Sequence, residues 1–164
     1  MNLIIIAAVS ENNVIGINGK IPWRIKEDMH RFKELTLHHP VIMGRKTYES
    51  IPEKFRPLPQ RENIILSRTL EKKEGIYVAR SVDEALAATA LGNNQEPYII
   101  GGEQVYNSFL DLSNRIELTR IHKIYHEGDA FFPIINLDEW RLTNKREGST
   151  EDELRYSFLT YNRK

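Results

Sequence analysis

One carboxylate lies on the apolar side of a predicted helix near the start of the chain, in the segment IPWRIKEDMHRF. A helical period of about 100° per residue, with a start near Arg24, gathers four side chains into one apolar stripe: Ile25, Met29, Phe32 and Leu35. Asp28 falls inside that stripe. The neighbouring charged side chains fall on the side that water can reach: Glu27, His30 and Arg31. Burying an unpaired carboxylate costs several kcal/mol, so Asp28 needs hydrogen-bonding partners.

Two interpretations of Asp28 follow from this position. A neighbouring hydroxyl, arginine or helix end could satisfy the carboxylate within the fold, as is usual for buried polar groups. Alternatively, Asp28 lines a cleft between helix and sheet and accepts two hydrogen bonds from the N–C–N edge of a ligand. Such a bidentate, charge-assisted pair offsets desolvation and orients the ligand. The periodicity alone leaves both interpretations open.

Two predicted strand-to-helix turns carry glycine where a phosphate could approach the backbone. In YIIGGEQVY, Gly101 and Gly102 precede a predicted helix that begins near Glu103 and presents free N–H groups. In VIMGRKTY, Gly44 precedes a second helix, and basic and hydroxyl side chains follow: Arg45, Lys46 and Thr47. Neither turn is a P-loop or the dinucleotide fingerprint with three spaced glycines. Two such turns in one small α/β chain indicate a ligand with a diphosphate.

Three basic residues, Arg45, Lys46 and Arg68, follow predicted strands and could surround part of the same ligand. Their charge would suit an extra phosphate on a ribose, which favours NADP over NAD. A solvated basic face is the alternative, and charge patterning does not separate the two.

The other chemistry-bearing residues do not form recognisable sites. His38 and His39 precede a proline in a predicted loop, and His122 and His126 have only Glu127 nearby, so no metal site is predicted. The sequence contains no cysteine, which excludes disulfides and thiolate chemistry. No serine occupies a nucleophile elbow and no acid pair is placed as in a glycosidase, so simple hydrolysis is not predicted.

Short apolar runs that alternate with helical patterns predict an α/β fold of mainly parallel strands. The run LIIIAAV is the first predicted strand, because it is too short to span a membrane and lacks the basic flank of a secretion signal. Residues 12–23 are predicted as a long loop, and SVDEALAATALG as a helix with Ser81 as N-cap, Glu84 as capping-box partner and Gly92 near its end. From Arg115 onward, three long strands without helical connections predict an antiparallel edge.

Length and charge limit the remaining possibilities. A chain of 164 residues predicts one domain over residues 1–164 with a core of its own. Basic and acidic residues number 23 each, so the neutral chain favours neither nucleic acid nor an acidic membrane surface as a partner. The absence of cysteine and of a targeting segment predicts a cytoplasmic protein.

Six segments, in order and spread over nearly the whole chain, resemble the dihydrofolate reductase family: AAVSENNVIGINGKIPW, DMHRFKELT, PVIMGRKTYESI, RPLPQRENIILSR, YIIGGEQVY and EGDAFFP. The resemblance implies a single α/β domain with a central eight-stranded sheet, in which seven strands are parallel and a C-terminal strand is antiparallel, flanked by four helices. It also implies a cleft that holds NADPH beside a dihydropterin, with hydride transfer to carbon 6 of dihydrofolate.

On the substrate side, the resemblance assigns Asp28 to the pterin ring nitrogen and exocyclic amino group, with Thr119 beside it through water. Arg61 resembles the arginine that pairs with the α-carboxylate of the substrate's glutamate. Ile21 ends the mobile loop that closes over the nicotinamide, and it stands where many bacterial members carry methionine. The apolar walls and the other substrate contacts implied are Ile6, Ala8, Phe32, Ile51, Leu58 and Ile100.

On the cofactor side, the resemblance assigns the three basic residues to the 2′-phosphate of NADPH, and Thr47 with residues 101–105 to its diphosphate. The backbone of Ala8 is implied to hold the nicotinamide carboxamide, with Tyr106 near the nicotinamide, and Gly16 and Asp129 to mark where two loops meet in the closed form. The cofactor residues implied are Ala8, Ile15, Gly16, Gly44, Arg45, Lys46, Thr47, Ser67, Arg68, Ile100, Gly101, Gly102, Glu103, Gln104, Val105 and Tyr106.

The segment IPEKFRPLP is longer than its equivalent in short bacterial-type members, which leaves the role of Arg56 near the substrate tail open. The resemblance implies a monomer that binds dihydrofolate and antifolate inhibitors. One alternative is a related reductase of the same fold that acts on a pyrimidine intermediate of riboflavin synthesis; another is a non-catalytic NADPH- or folate-binding module that contacts RNA. The pairing of Asp28 with Phe32 and Arg61 favours folate over the first, and the neutral charge disfavours the second.

Overall fold

Eight strands form the central sheet, in the order β5-β4-β3-β6-β1-β7-β10-β9. The computed structural model describes residues 1–94 and 96–164. Every neighbouring pair in the sheet is parallel except the two that β10 makes, so seven strands run one way and β10 runs against them. This confirms the predicted sheet. The strands are β1 Ile4–Ser10, β3 Val41–Gly44, β4 Asn63–Leu66, β5 Tyr77–Ala79, β6 Tyr98–Ile99, β7 Arg115–Ile121, β9 Trp140–Ser149 and β10 Arg155–Arg163.

Helices cover both faces of the sheet, which explains why its inner strands are apolar runs without alternation. On one face, Ile5, Ala7 and Val9 of β1 belong to a core with α3 and α4. On the other, Ile4 and Ile6 belong to a core with α1 and α2. The four described helices are α1 Lys26–Thr36, α2 Arg45–Ser50, α3 Val82–Ala90 and α4 Glu103–Phe109. None of the described helices is long and apolar enough to cross a membrane.

Helix α1 departs from the helical-wheel prediction in two ways. It begins at Lys26, with Ile25 as its extended N-cap residue, and Met29 of the expected stripe is 53% exposed. Arg31, which the prediction left to solvent, is largely enclosed, because β7 and β10 cover that side of the helix. Periodicity identifies one buried face of a helix, but it does not reveal a second neighbour that a polar side chain can contact.

The start of α3 confirms most of the predicted capping box. The Ser81 hydroxyl accepts a hydrogen bond from the Glu84 backbone N–H at 3.1 Å. The Glu84 carboxylate reaches back one residue further than expected, to the Arg80 N–H at 2.6 Å. The cap therefore also fixes the backbone of Arg80, which enters the cleft described below.

The segment predicted as a loop from residue 12 to residue 23 contains a short strand, β2 (Val14–Gly16). It pairs antiparallel with β8 (Ala130–Phe131) in a separate two-stranded sheet. Strands of two or three residues are too short to show periodicity, so the sequence pattern missed this pairing.

Candidate active site

A large cleft of about 1090 Å³ opens where β3, β4 and β6 end. Ligands of open parallel sheets bind outside the carboxyl ends of the strands, which is where this cleft lies. All of the predicted cofactor residues line it. The further lining residues are Gly19, Lys20, Ile21, Ser50, Leu66, Arg80, Ser81, Val82, Ser108, Asp129 and Ala130.

The two predicted glycine turns meet in this cleft. The Gly44 N–H donates to the Gly101 carbonyl at 2.8 Å, so the start of α2 is tied to the turn before α4. Gly101 has φ of +116°, and its peptide bond to Gly102 is cis. The Tyr106 hydroxyl donates to the Ile6 carbonyl at 2.8 Å, which holds its ring against Gly101. The turn therefore requires glycine for its backbone conformation and for space.

We expect Gly101→Ala to lower the free energy of unfolding by about 2 kcal/mol, since a left-handed backbone is costly for an L-residue. The added Cβ would also lie 3.1 Å from the Tyr106 hydroxyl oxygen. Urea unfolding at equilibrium measures the change. Gly75→Ala is the control, because Gly75 also has a positive φ of +92° but its nearest contact would be 3.9 Å away. Equal losses in the two variants would show that the contact with Tyr106 contributes nothing.

Basic side chains gather at one end of the cleft. Arg45 is oriented by Glu49 and by the Thr69 hydroxyl, both at 2.9 Å. Within the described residues, Lys46 and Arg68 form no ion pair or side-chain hydrogen bond, which leaves their charges for a ligand. Arg80 joins this group and was missed by the sequence analysis; it is held by the Ser67 and Leu70 carbonyls. Its position, directly after a strand and before the Ser81 N-cap, could have indicated that Arg80 lies at the carboxyl edge of the sheet.

Asp28 lies in the first turn of α1 and faces β7. The Thr119 hydroxyl donates directly to Asp28 Oδ1 at 2.6 Å, without the intervening water that the resemblance implied. Burial raises the pKa of the Asp28 carboxyl above its ordinary value, and the Thr119 hydrogen bond and the Arg31 charge offset part of that rise. A half-buried carboxylate with one hydroxyl partner among the described residues retains acceptor capacity for a ligand.

Asp28 lies close to the cleft wall, although it does not line the cleft itself. Its charge reaches Tyr106, whose pKa is raised mainly by burial and further by Asp28. An apolar region lies on the α1 side of β1, where partly buried side chains pack against the core that contains Ile6: Phe32, Ile51, Leu58 and Ile100. The structure therefore places the predicted substrate wall next to the predicted cofactor cleft, with Ile100 bordering both.

Two arginines lie near the ends of the helices α1 and α2. Arg61 donates to the Thr36 hydroxyl at 3.0 Å and to the Pro59 carbonyl at 2.9 Å, and it has no carboxylate partner among the described residues. Arg56 donates to the Glu49 carbonyl at 3.0 Å and, at longer distance, to those of Tyr48 and Ile51. Arg56 thus satisfies carbonyls at the end of α2, whereas Arg61 remains available for a ligand carboxylate.

The predicted mobile loop that ends at Ile21, called the lid below, contributes several residues to the lining of the cleft. The Asp129 N–H donates to the Gly16 carbonyl at 3.1 Å, and the Asn18 N–H donates to the Asp129 carboxylate at 2.9 Å. These bonds join the two loops at the residues that the resemblance singled out. Ile21 lines the cleft and is 63% exposed, so its apolar side chain is free to cover a ligand.

A large cleft with a basic end, beside an apolar region with one carboxylate, fits an oxidoreductase that uses a nicotinamide nucleotide. Residues 2–163 match the family model described as dihydrofolate reductase. The chain belongs to the dihydrofolate reductase family.

Three relatives named dihydrofolate reductase match this chain over most of their length. The chain is 42% identical to a dihydrofolate reductase of Buchnera aphidicola, with 96% of this chain and 97% of the relative covered. It is 40% identical to one of Neisseria meningitidis serogroup B, with 98% of each covered. It is 38% identical to dihydrofolate reductase HdrB of Haloferax volcanii, with 100% of this chain and 84% of the relative covered.

Proposed function

We propose that this chain reduces 7,8-dihydrofolate to 5,6,7,8-tetrahydrofolate with NADPH. The observation that carries the proposal is the Asp28 carboxylate, which is half-buried beside the apolar wall and holds only the Thr119 hydroxyl among the described residues. Its free acceptor positions match two adjacent N–H donors of a pterin. Family membership supports the reaction, which feeds one-carbon metabolism.

The residues of the cleft fit NADPH. Backbone at Gly44, Gly101 and Gly102 would approach the diphosphate, and the basic end formed by Arg45, Lys46 and Arg68 would hold the 2′-phosphate. When bound, NADPH supplies a hydride for carbon 6 of dihydrofolate. Glycine at these turns has no side chain, so a ligand can approach the backbone closely.

The substrate side needs orientation and one proton. Asp28 would accept two hydrogen bonds from the pterin ring nitrogen and the exocyclic amino group, which fixes and polarises the ring. Asp28 cannot reach both this edge and nitrogen 5, so water delivers the proton to nitrogen 5. Ile21 would cover the ring, and the lid would exclude other water from it.

A direct assay tests the proposal. The protein is mixed with dihydrofolate and NADPH, and loss of the reduced-nicotinamide absorbance is followed with and without a diaminopyrimidine inhibitor. We expect turnover that the inhibitor stops, since a diaminopyrimidine presents the same paired N–H donors to Asp28. Absence of turnover, or turnover only with the pyrimidine intermediate of riboflavin synthesis, would overturn the proposal. We further propose that the protein is cytoplasmic and monomeric. Sedimentation of the purified protein measures its mass and so tests whether it is a monomer.

We expect loss of Arg45 and Arg68 to narrow the preference for NADPH over NADH. A charge-assisted hydrogen bond to phosphate contributes about 10- to 100-fold in affinity, so Arg45→Ala and Arg68→Ala should each lower the ratio of kcat/KM values by about that factor. Steady-state kinetics with both cofactors give the ratio. The control is Arg141→Ala, an exposed arginine on β9 outside the cleft. An unchanged ratio in both cleft variants would contradict the assignment of the 2′-phosphate site.

A further inference from the structure

A buried ion-pair network lies beside Asp28 and takes no part in the proposed chemistry. Glu117, in the middle of β7, is only 6% exposed. Its carboxylate accepts from Arg31 at 2.7 Å and from the Thr160 hydroxyl at 2.8 Å. Arg115 Nε lies 3.0 Å away, at ion-pair distance but without hydrogen-bond alignment. Burying a carboxylate costs desolvation energy, which its partners offset only in part. A glutamate at this buried position therefore calls for an explanation.

Arg31 is placed where it could pair with Asp28. It follows Asp28 by three residues on α1, and side chains at that spacing lie about 5–6 Å apart on a helix, close enough for an aspartate–arginine ion pair. Such a pair would occupy the acceptor positions that the pterin needs. In the structure, Arg31 instead pairs with Glu117, and its guanidinium lies 4.7 Å from the centroid of the Phe158 ring.

The register between α1 and β7 explains how this is achieved. Thr119 and Glu117 are two residues apart on β7, so both face α1. Asp28 meets Thr119, and Arg31, one turn further along the helix, meets Glu117. The two contacts run in opposite order along the helix and the strand. Strand β7 therefore supplies the Thr119 hydroxyl to Asp28 and a separate carboxylate, that of Glu117, to Arg31.

We propose that Glu117 is a positioning residue that draws Arg31 away from Asp28 and so leaves the Asp28 carboxylate open to the pterin. The inference rests on the proposed function of Asp28 as the carboxylate that binds substrate. Arg31 then acts on Asp28 through its charge alone, at the distance of one helical turn.

Other charged and titratable groups around Asp28 have partners or positions that leave this arrangement intact. Glu27, its neighbour on α1, pairs with Arg146 of β9 at 2.8 Å and accepts from the Tyr156 hydroxyl of β10. Tyr106 of α4 donates to a backbone carbonyl. Glu117 and Arg31 therefore form the pair whose substitution should change the electrostatic surroundings of Asp28.

The test is a double-mutant cycle on Glu117 and Arg31. In Glu117→Gln, the released Arg31 is expected to pair with Asp28, so KM for dihydrofolate should rise about tenfold, with a smaller change in kcat. The double variant Glu117→Gln with Arg31→Gln should bring KM back toward the wild-type value, because the competing arginine is gone. Glu34→Gln is the matched control, since Glu34 is exposed on the same helix and, within residues 1–94 and 96–164, pairs only with His30.

A second readout is independent of turnover. Carbon-13 NMR of carboxyl-labelled aspartate follows the titration of Asp28, whose signal is identified by its absence in Asp28→Asn. A unit charge about 6 Å away in a water-like dielectric moves a titration midpoint by roughly 0.5 pH unit. We expect a lower midpoint in Glu117→Gln and a higher one in Arg31→Gln, with Lys33→Gln as the control for the second.

The outcomes separate the inference from the proposed function. Shifts of the same sign in the two single variants, or a double variant whose KM stays as high as that of Glu117→Gln, would overturn the role of Glu117. If Glu117→Gln does not fold, Glu117→Asp replaces it, because the shorter side chain keeps the charge but holds Arg31 less closely. KM for dihydrofolate should then rise, and adding Arg31→Gln should lower it again; an unchanged KM in Glu117→Asp would overturn the role of Glu117. If the wild-type chain does not reduce dihydrofolate while the NMR midpoints move as expected, the proposed function fails and the diversion of Arg31 stands.

Discussion

Asp28→Asn is expected to lower kcat/KM for dihydrofolate by about 100- to 1000-fold at pH 7, the range found when one preorganised electrostatic contact is removed. Asparagine keeps one acceptor for the Thr119 hydroxyl, but it replaces the second acceptor with an amide donor. That donor would face the N–H groups of the pterin. Steady-state kinetics across pH measure the loss.

The pH profile identifies what Asp28 contributes. If Asp28 polarises the ring while water supplies the proton, the variant should recover part of its turnover at low pH, where dihydrofolate is already protonated. Recovery would not occur if the variant had lost only substrate binding. Unchanged turnover at neutral pH would refute the role altogether.

Asp28→Asn is expected to raise the stability of the folded chain at pH 7, although it lowers activity. Burial raises the pKa of Asp28 in the folded chain, so the folded state holds its proton to higher pH than the unfolded state does. The free energy of unfolding therefore falls as pH rises from the unfolded pKa through the raised folded pKa. Asp28→Asn removes that loss and should be more stable than the wild type at pH 7, with the difference vanishing below the ordinary aspartate pKa. Lower stability at pH 7 would contradict the burial argument.

The fold could be predicted largely from apolar runs, and the exceptions share a physical cause. β1 is buried on both faces, so its continuous apolar sequence by itself predicts a central parallel strand. β2 and β8 are held by pairing with each other across more than a hundred residues, and neither carries a pattern of its own. Predictions from periodicity fail where the partner, not the segment, determines the structure.

The same distinction applies to the site. Gly44 and Gly101 could be predicted because a turn near phosphate imposes its own residue type. Arg31 could not be placed, because its position depends on Glu117, which is far away in sequence and was not singled out. Helical periodicity marked Asp28 as anomalous, yet the choice between a satisfied core residue and a ligand-binding one required the count of its partners in the fold.

Arg61→Leu is expected to raise the Kd for folate by about 10- to 100-fold, the value of a charge-assisted hydrogen bond to a carboxylate. Arg61 donates to the Thr36 hydroxyl and to the Pro59 carbonyl, which orient its guanidinium without neutralising it. A glutamate α-carboxylate at the end of the substrate would supply the missing charge. Because the pterin end does not contact this residue in the proposed arrangement, a pterin without the glutamate should lose less than about twofold in affinity, well below the contribution of one charged contact.

Arg56→Leu is the matched control for this prediction. Arg56 is a neighbouring arginine whose hydrogen bonds among the described residues are all with backbone carbonyls near the end of α2, and its guanidinium lies 5.2 Å from the centroid of the Tyr48 ring. Its loss should lower stability while leaving the ratio of folate to pterin affinities unchanged. Fluorescence titration with the two ligands gives that ratio for each variant. Equal weakening of both ligands in Arg61→Leu would refute the proposed contact, and a changed ratio in Arg56→Leu would transfer it to Arg56. The two arginines differ in their partners: Arg56 donates to carbonyls at the end of α2 and lies over the Tyr48 ring, whereas Arg61 donates to the Thr36 hydroxyl and the Pro59 carbonyl.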